Sequence, residues 1–229
     1  HISTARRKQP DYSVLTHNIS NVVGGIRMFS TTPRKLNTAA ELTNALESEI
    51  VAEKELQNET GGYKAAFPGF TLTTNEAEVR LTKKHGNEDI LVVFNVSHSV
   101  EIPEESDGNA APAPVALPPF SIEITKGGER LCFHLELIEG ERPGDYDFQV
   151  EEFYIAPAAK GPEEEVPSHV YATSGKYIDD NIQQLLYVNY LEERGFDDSF
   201  LRNLVTFASA HEHHLYINFL NKMKSFIGK

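Results

Sequence analysis

The sequence predicts an α+β domain in which one helix precedes an antiparallel sheet and two helices follow it. Three observations support this prediction. Apolar residues recur every three or four positions near residue 40 and again over the last third of the chain, as in amphipathic helices. Between about residues 76 and 154 they alternate with polar residues, as in half-buried strands. Short glycine turns separate several of these alternating runs, so consecutive strands are expected to pair.

Residues 1–35 differ in composition from the rest of the chain. They contain six basic side chains and one acidic one, whereas residues 36–229 contain 15 basic and 33 acidic ones, a net charge of −18. A leader rich in Arg and Ser and poor in acids is typical of a mitochondrial presequence. We therefore expect residues 1–35 to be a transit peptide to the mitochondrial matrix, cleaved near Phe29–Ser30, and residues 36–229 to form one domain. The alternative is a disordered tail of a cytosolic protein.

The first helix is predicted to run from Thr38 to just before Gly61. Thr38 opens a Thr-x-x-Glu capping box, which is a common start signal. Leu42, Leu46 and Ile50 then share one helix face.

The central strands are predicted from period-two alternation. Gly86-Asn87 and Gly127-Gly128 are the expected turns of two hairpins. Two Pro-, Ala- and Glu-rich loops, 101–119 and 156–168, interrupt the sheet and are expected to be mobile. The second face of the sheet includes Leu91 and Val93, which supports contacts between subunits. The predicted strands cover about residues 76–82, 90–96, 120–124, 131–137, 148–154 and 169–173.

Two helices are predicted at the end of the chain. The first has an apolar stripe that includes Ile178, Ile182, Leu185 and Leu186, and it ends at a glycine C-cap, Gly195. The last helix begins after Asp197 or Asp198 and continues to about residue 226. We expect it to pack antiparallel on the first helix as a coiled coil that also touches a neighbouring subunit. The residues assigned to this contact are Leu42, Leu46, Ile50, Leu215, Phe219 and Met223.

A histidine cluster, HEHH at 211–214, is the strongest candidate for chemistry. Histidines three residues apart on a helix can bind one zinc ion, so one alternative function is a metal-dependent small hydrolase that uses His211, His213 and His214. The cluster lacks the His-Glu-x-x-His spacing of metalloproteases. The periodicity favours His211 as part of the apolar stripe, with Glu212 and His213 facing solvent.

Other catalytic patterns are weaker. Cys132, the only cysteine, is expected to point outward from its strand beside His134 and Glu136, without an oxyanion hole. The sequence contains no Walker loop, dinucleotide fingerprint or Gly-x-Ser-x-Gly elbow. No catalytic residue, metal or cofactor is therefore predicted. A carrier of a small ligand between sheet and helices remains a second alternative.

Three stretches resemble the mitochondrial matrix acidic protein family, also called the mitochondrial glycoprotein family, whose animal members include the complement component one q-binding protein. They are FTLTTNEAEVRLTKKHGNEDILVVFNV (70–96), YLEERGFDDSFLRNLV (190–205) and EHHLYINFLNKMKSFI (212–227), and the resemblance covers about residues 36–229. It implies a twisted sheet of seven strands flanked by helices, assembled as a doughnut-shaped homotrimer. It also implies a non-enzymatic, chaperone-like scaffold that supports mitochondrial translation and oxidative phosphorylation.

The charge of the domain indicates what it binds. A net charge of −18 over residues 36–229 repels phosphate backbones and attracts cations. We therefore expect basic partners such as mitochondrial ribosomal proteins, with RNA associated only indirectly and with no membrane span. The carboxylates assigned to this binding lie in the two loops and are Glu101, Glu104, Glu105, Asp107, Glu163, Glu164 and Glu165.

Overall fold

The chain is described by a computed structural model over residues 38–59, 66–101, 114–161 and 164–229. The predicted leader, residues 1–35, lies outside these ranges. Residues 37–229 belong to one compact unit. Its helices are α1 (Thr38–Glu59), α2 (Asp180–Gln183), a π-helix (Gln184–Tyr190) and α3 (Asp198–Ile227), with a 3₁₀ turn at Gly175–Tyr177.

The strands of the described residues form one large sheet and one small ribbon. The large sheet is antiparallel, with seven strands in the order β1-β2-β3-β6-β7-β8-β9, and β4 pairs with β5 separately. This confirms the predicted antiparallel sheet. The bounds are β1 (Thr71–Asn75), β2 (Glu78–His85), β3 (Glu88–Asn95), β4 (Val100–Glu101), β5 (Val115–Ala116), β6 (Phe120–Lys126), β7 (Glu129–Glu139), β8 (Tyr146–Pro157) and β9 (Ala172–Ser174).

One face of the sheet builds the main core. Leu81, Val92, Ile122 and Phe133 follow one another across four neighbouring strands, and each is fully buried. The N-terminal half of α3 covers this row through residues such as Leu204. Because period-two alternation places every second residue on this face, the hairpins were predictable from the sequence.

Strand β8 contains an irregularity that affects its edge. His134 on β7 pairs with Glu152, but the next residue, Leu135, pairs with Val150, so Glu151 is an extra residue in β8. Such a β-bulge bends the strand that contains it. The last strand, β9, begins at Ala172, three residues later than predicted, and it pairs only with residues 152–154.

The helix predicted between Ile178 and Gly195 has a different geometry from the one expected. After one α-helical turn, residues 184–190 form a π-helix, in which each amide bonds to the carbonyl five residues back and each turn holds an extra residue. The extra residue rotates the stripe. Leu185, inside the π-helix, is exposed, and so is Ile182, which precedes it, both contrary to the prediction, whereas Leu186 packs against the core. Gly195 does end the segment, with φ of +97°.

Helix α3 begins as predicted. The Asp197 carboxylate accepts a hydrogen bond of 2.8 Å from the backbone N–H of Phe200, which identifies Asp197 as the N-cap.

Candidate protein-binding surfaces

Helices α1 and α3 pack against each other through a small apolar cluster. Leu46 and Ile50 are buried against Leu220, and Met223 and Ile227 pack beside them. This cluster is separate from the core of the sheet, so the contact between the two helices can be perturbed by itself.

Ion pairs establish the direction of this contact. Lys224 Nζ lies 3.3 Å from Glu47 Oε1, and His213 Nε2 lies 2.6 Å from Glu53 Oε2. Later residues of α1 thus meet earlier residues of α3, and the two helices are antiparallel.

Three of the residues assigned to the coiled coil lie elsewhere. Leu42 is exposed, Leu215 packs against the core of the sheet, and Phe219 is 56% exposed. Phe219 and Phe226 line an open groove of about 920 Å³ between α3 and the end of β1. Phe219 therefore does not stabilise the contact within the chain, and it is available for contact with another surface.

The four residues of the HEHH segment have different surroundings. His211 Nε2 donates to the backbone carbonyl of Glu76 at 2.7 Å, and its ring stacks on Phe207. His213 binds Glu53 on α1, and His214 accepts from Asn218. The prediction that Glu212 and His213 face solvent is wrong, because both are half-buried and His213 pairs with Glu53 on α1. Within the described ranges, no group of three His, Cys, Asp or Glu residues could hold a metal ion.

Glu212 shows the effect of this cover. Its partial burial raises the pKa of the carboxyl, and the nearby carboxylate of Glu53 raises it further, while His213 opposes the shift. The cluster is thus a set of contacts between α3 and its neighbours.

Cys132 is buried rather than directed to solvent, contrary to the prediction. Its side chain is 4% exposed, because it lies between Tyr154 on β8 and Glu123 on β6. Burial raises the pKa of the thiol to about 12, and the charge of Glu123 adds to the shift. A thiol that stays protonated at neutral pH is a poor nucleophile.

The acidic residues assigned to partner binding are only partly within the described ranges. Glu101 is exposed at the end of β4, and Glu164 and Glu165 are exposed before β9. The carbonyl of Glu164 accepts a hydrogen bond of 3.4 Å from the buried Arg130 guanidinium, which ties this segment to the sheet. The other four residues of this set, Glu104, Glu105, Asp107 and Glu163, lie outside the described ranges.

The second face of the sheet has a shallow cleft. Leu91 and Val93 are half-buried there, as the alternation predicted. Val93, Ser121 and His134 line a cavity of about 380 Å³ on this face.

A groove that the sequence did not indicate runs between β8 and the π-helix. Two adjoining cavities of about 380 Å³ each share Asp147, Phe148, Tyr187 and Val188. The only sequence signal was the apolar stripe around residue 185, which the α-helical spacing assigned to the core. No helix of the residues that the structure describes is long and apolar enough to cross a membrane.

Comparisons with known proteins agree with this fold. Residues 46–227 match the sequence model of the family described as Mitochondrial glycoprotein, MAM33. The chain is 53% identical over 210 residues to "Conserved regulator of innate immunity protein 3" of Caenorhabditis elegans, with 89% of each chain covered. It is 31% identical over 196 residues to the mitochondrial "Complement component 1 Q subcomponent-binding protein" of Bos taurus, with 80% of this chain and 69% of that protein covered.

A solved structure has the same fold. It is a Leishmania major protein of unknown function, described as a sequence homologue of human p32, and it aligns with a TM-score of 0.57 and 18% identity over 83% of this chain and 99% of that one.

Proposed function

The chain belongs to the mitochondrial glycoprotein (MAM33) family, and from that premise we propose that it is a non-enzymatic scaffold of the mitochondrial matrix that binds basic proteins. The observation that best supports this proposal is the charge of −18 over residues 36–229. Such a field attracts cationic partners and speeds their association. The bovine relative is named both as mitochondrial and as a binding protein, which agrees with this role.

The basic leader supports the proposed location. Residues 1–35 are proposed to direct import into the matrix and to be removed near Phe29–Ser30. The intact mass of the protein isolated from mitochondria tests this: we expect the first 29 or more residues to be absent, and a product that retains them would contradict the proposal.

The proposed assembly is a homotrimer. Two apolar surfaces support contacts between subunits: the exposed α3 surface around Phe219 and Phe226, and the half-buried second face of the sheet around Val93. Exposed apolar surface of this kind is common where subunits meet.

The proposed partners are basic mitochondrial proteins, among them ribosomal proteins, through which the scaffold would support translation and oxidative phosphorylation. RNA would associate indirectly, because the domain and the phosphate backbone are both anionic. The contacts are placed on the seven loop carboxylates, of which Glu101, Glu164 and Glu165 are exposed in the described part of the chain.

Charge neutralisation of the loops tests this function. One variant replaces all seven loop carboxylates with Gln or Asn. A matched control replaces seven exposed carboxylates outside the loops: Glu41, Glu49, Glu55, Glu129, Glu136, Glu139 and Glu141. Affinity for a purified basic ribosomal protein is measured for both variants at several salt concentrations.

We expect the loop variant to lose far more affinity than the control. We also expect binding by the unmodified protein to weaken steeply with salt, because the screening length falls from ~10 Å at 0.1 M to ~3 Å at 1 M. Equal losses in the two variants would contradict the placement on the loops. Binding that does not respond to salt would contradict the electrostatic role.

A further inference from the structure

Part of strand β8 has a free edge. The strand pairs with β7 from Tyr146 to Pro157, but its other edge pairs with β9 only at residues 152–154. Gly175, just after β9, lies against β8 at Val150: a Cβ added to Gly175 would lie 2.2 Å from the Val150 carbonyl oxygen. The edge of residues 146–149 has no strand partner in the part of the chain that the structure describes. A free edge presents backbone groups that can pair with another strand. One of them, the Phe148 N–H, donates to the Asp147 carboxylate at 2.7 Å, and an added strand would replace this partner.

The groove follows this free edge. One of its two cavities is lined by four consecutive residues of β8, 147–150. The same cavity is lined by Gly175 and Lys176, which follow β9, so it lies on the β9 side of β8, where the edge is free. The opposite wall of the groove is the π-helix, which presents Tyr187 and Val188.

The groove has an apolar centre and an acidic rim. Phe148, Tyr187 and Val188 form the shared centre, and Val188 is 46% exposed. The two basic residues of the lining already have partners: Lys176 Nζ lies 3.4 Å from Glu151, and Arg202 Nη1 lies 3.7 Å from Asp145. Five acidic residues line the two cavities: Asp147, Asp180, Glu192, Asp197 and Asp198.

We infer that this groove binds an extended basic segment of a partner protein, which adds to the free edge of β8 as a short strand. Backbone hydrogen bonds to residues 146–149 would hold the segment, an apolar side chain would contact Phe148 and Val188, and flanking Lys or Arg side chains would meet the acidic rim. This inference rests on the proposed binding of basic proteins and places one such contact.

The charge of the groove favours a basic partner over a second copy of this chain. The lining holds five acidic and two basic residues, and acidic residues also outnumber basic ones by 33 to 15 over residues 36–229 of another copy, so a basic segment complements the groove better than most of the surface of this chain does. Like charges brought together at an interface disfavour binding.

The test uses the full chain and a fluorescein-labelled peptide, Lys-Val-Lys-Val-Lys-Val-Lys, titrated by fluorescence anisotropy. Val188→Lys places a positive charge in the apolar centre. Leu185→Lys is the matched control, because Leu185 lies on the same π-helix, is 56% exposed and does not line the groove. One control peptide is N-methylated at its Lys amides and the other at its Val amides. Because alternate residues of a strand donate hydrogen bonds to opposite edges, each control peptide lacks the donors of one edge.

We expect Val188→Lys to weaken binding about tenfold or more, through the lost apolar contact and the added like charge, and Leu185→Lys to change it by less than about twofold. At least one N-methylated peptide should fail to bind, and the peptide should slow hydrogen exchange of the amides at 146–149. Equal loss in the two Lys variants, or full binding of both methylated peptides, would overturn the inference. So would a change in subunit number of Val188→Lys by light scattering, because the groove would then be a subunit interface.

The same peptide separates this inference from the proposed function. If Val188→Lys loses the peptide while the unmodified protein still binds basic ribosomal proteins in a salt-dependent way, both proposals stand. If the peptide binds Val188→Lys and the unmodified protein equally well, and ribosomal proteins still bind the unmodified protein, only the inference about the groove is rejected. If the peptide binds in the groove but no basic protein binds, the proposed function fails by itself.

Discussion

Glu88 and Arg194 form a buried ion pair that one substitution, Glu88→Gln, can break. Arg194 Nε donates to Glu88 Oε2 at 2.8 Å, and Nη2 donates to Oε1 at 2.9 Å. The guanidinium also lies 3.3 Å from the centre of the Tyr190 ring. This pair attaches the turn that follows the π-helix to the first residue of β3.

The expected magnitude follows from burial. Glu88 is 3% exposed and Arg194 is 7% exposed, so replacing the carboxylate leaves the buried guanidinium with only the exposed carboxylate of Glu193, 3.7 Å away, as counter-charge. Breaking a buried pair in this way costs about 3–5 kcal/mol, and we expect the lower end because Gln keeps one acceptor oxygen. The control is Asp89→Asn, which makes the same change at the next residue. Asp89 pairs with Lys84 at the surface, so its loss should cost less than about 1 kcal/mol.

The loss of stability caused by Glu88→Gln should depend on pH. Arg194 holds the pKa of Glu88 below its ordinary value of 4.5, through hydrogen bonds that outweigh the opposing effect of burial. A lowered carboxyl pKa stabilises the folded state fully above the ordinary value, and this stabilisation is lost as the pH falls through the folded-state value. The difference between the unmodified protein and Glu88→Gln should therefore be constant from pH 7 to about pH 5 and should shrink below about 4.5.

Urea unfolding at one fixed protein concentration measures the difference, because the stability of an oligomer depends on concentration. A loss for Glu88→Gln no larger than that for Asp89→Asn would refute the reasoning about burial. A difference that stays undiminished at pH 3 would refute the assigned pKa shift.

Two further predictions concern α1, α3 and the thiol. Leu46→Asp should destabilise the fold by at least about 3 kcal/mol, because it removes a buried apolar side chain from the contact between α1 and α3. Phe219→Asp should leave the subunit folded and lower only the number of subunits in the assembly, because Phe219 is exposed. Urea unfolding measures the first effect and light scattering the second, and equal unfolding midpoints for the two variants would contradict the assignment. Cys132 should resist alkylation by iodoacetamide at pH 8 in the folded protein, because burial raises the pKa of its thiol to about 12, and it should react once urea unfolds the protein. Mass spectrometry measures the labelling. Rapid labelling of the folded protein would contradict the prediction, because it would show that the thiol is accessible.

Local sequence signals predicted the elements whose hydrogen bonds join residues close together in the sequence. The hairpins β2–β3 and β6–β7 follow from alternation and from the glycine turns at Gly86 and Gly127, both of which have positive φ. Strand β1 had no such signal, because all five of its residues are exposed and it reads TLTTN. Residues 71–75 form a strand because they pair with β2, and their own sequence does not indicate this pairing.

The candidate binding surfaces were less predictable. Helical spacing identified an apolar stripe on α3, but it did not show that Leu220 faces α1 while Phe219 faces away from it. Cys132 was misplaced because alternation identifies a face of the sheet, whereas the side chains of Tyr154 and Glu123 determine whether that face is covered.

By itself, the sequence determined the α+β class, the antiparallel order of the strands, the N-cap of α3 to within one residue and the acidity of the domain. Each of these depends on residues close together in the chain or on composition alone. Only the tertiary structure decided the π-helix, the bulge at Glu151, the free edge of β8 and the Glu88–Arg194 pair. These features depend on which distant surfaces meet: Arg194 reaches a carboxylate 106 positions away in the sequence, and no local pattern indicates such a partner.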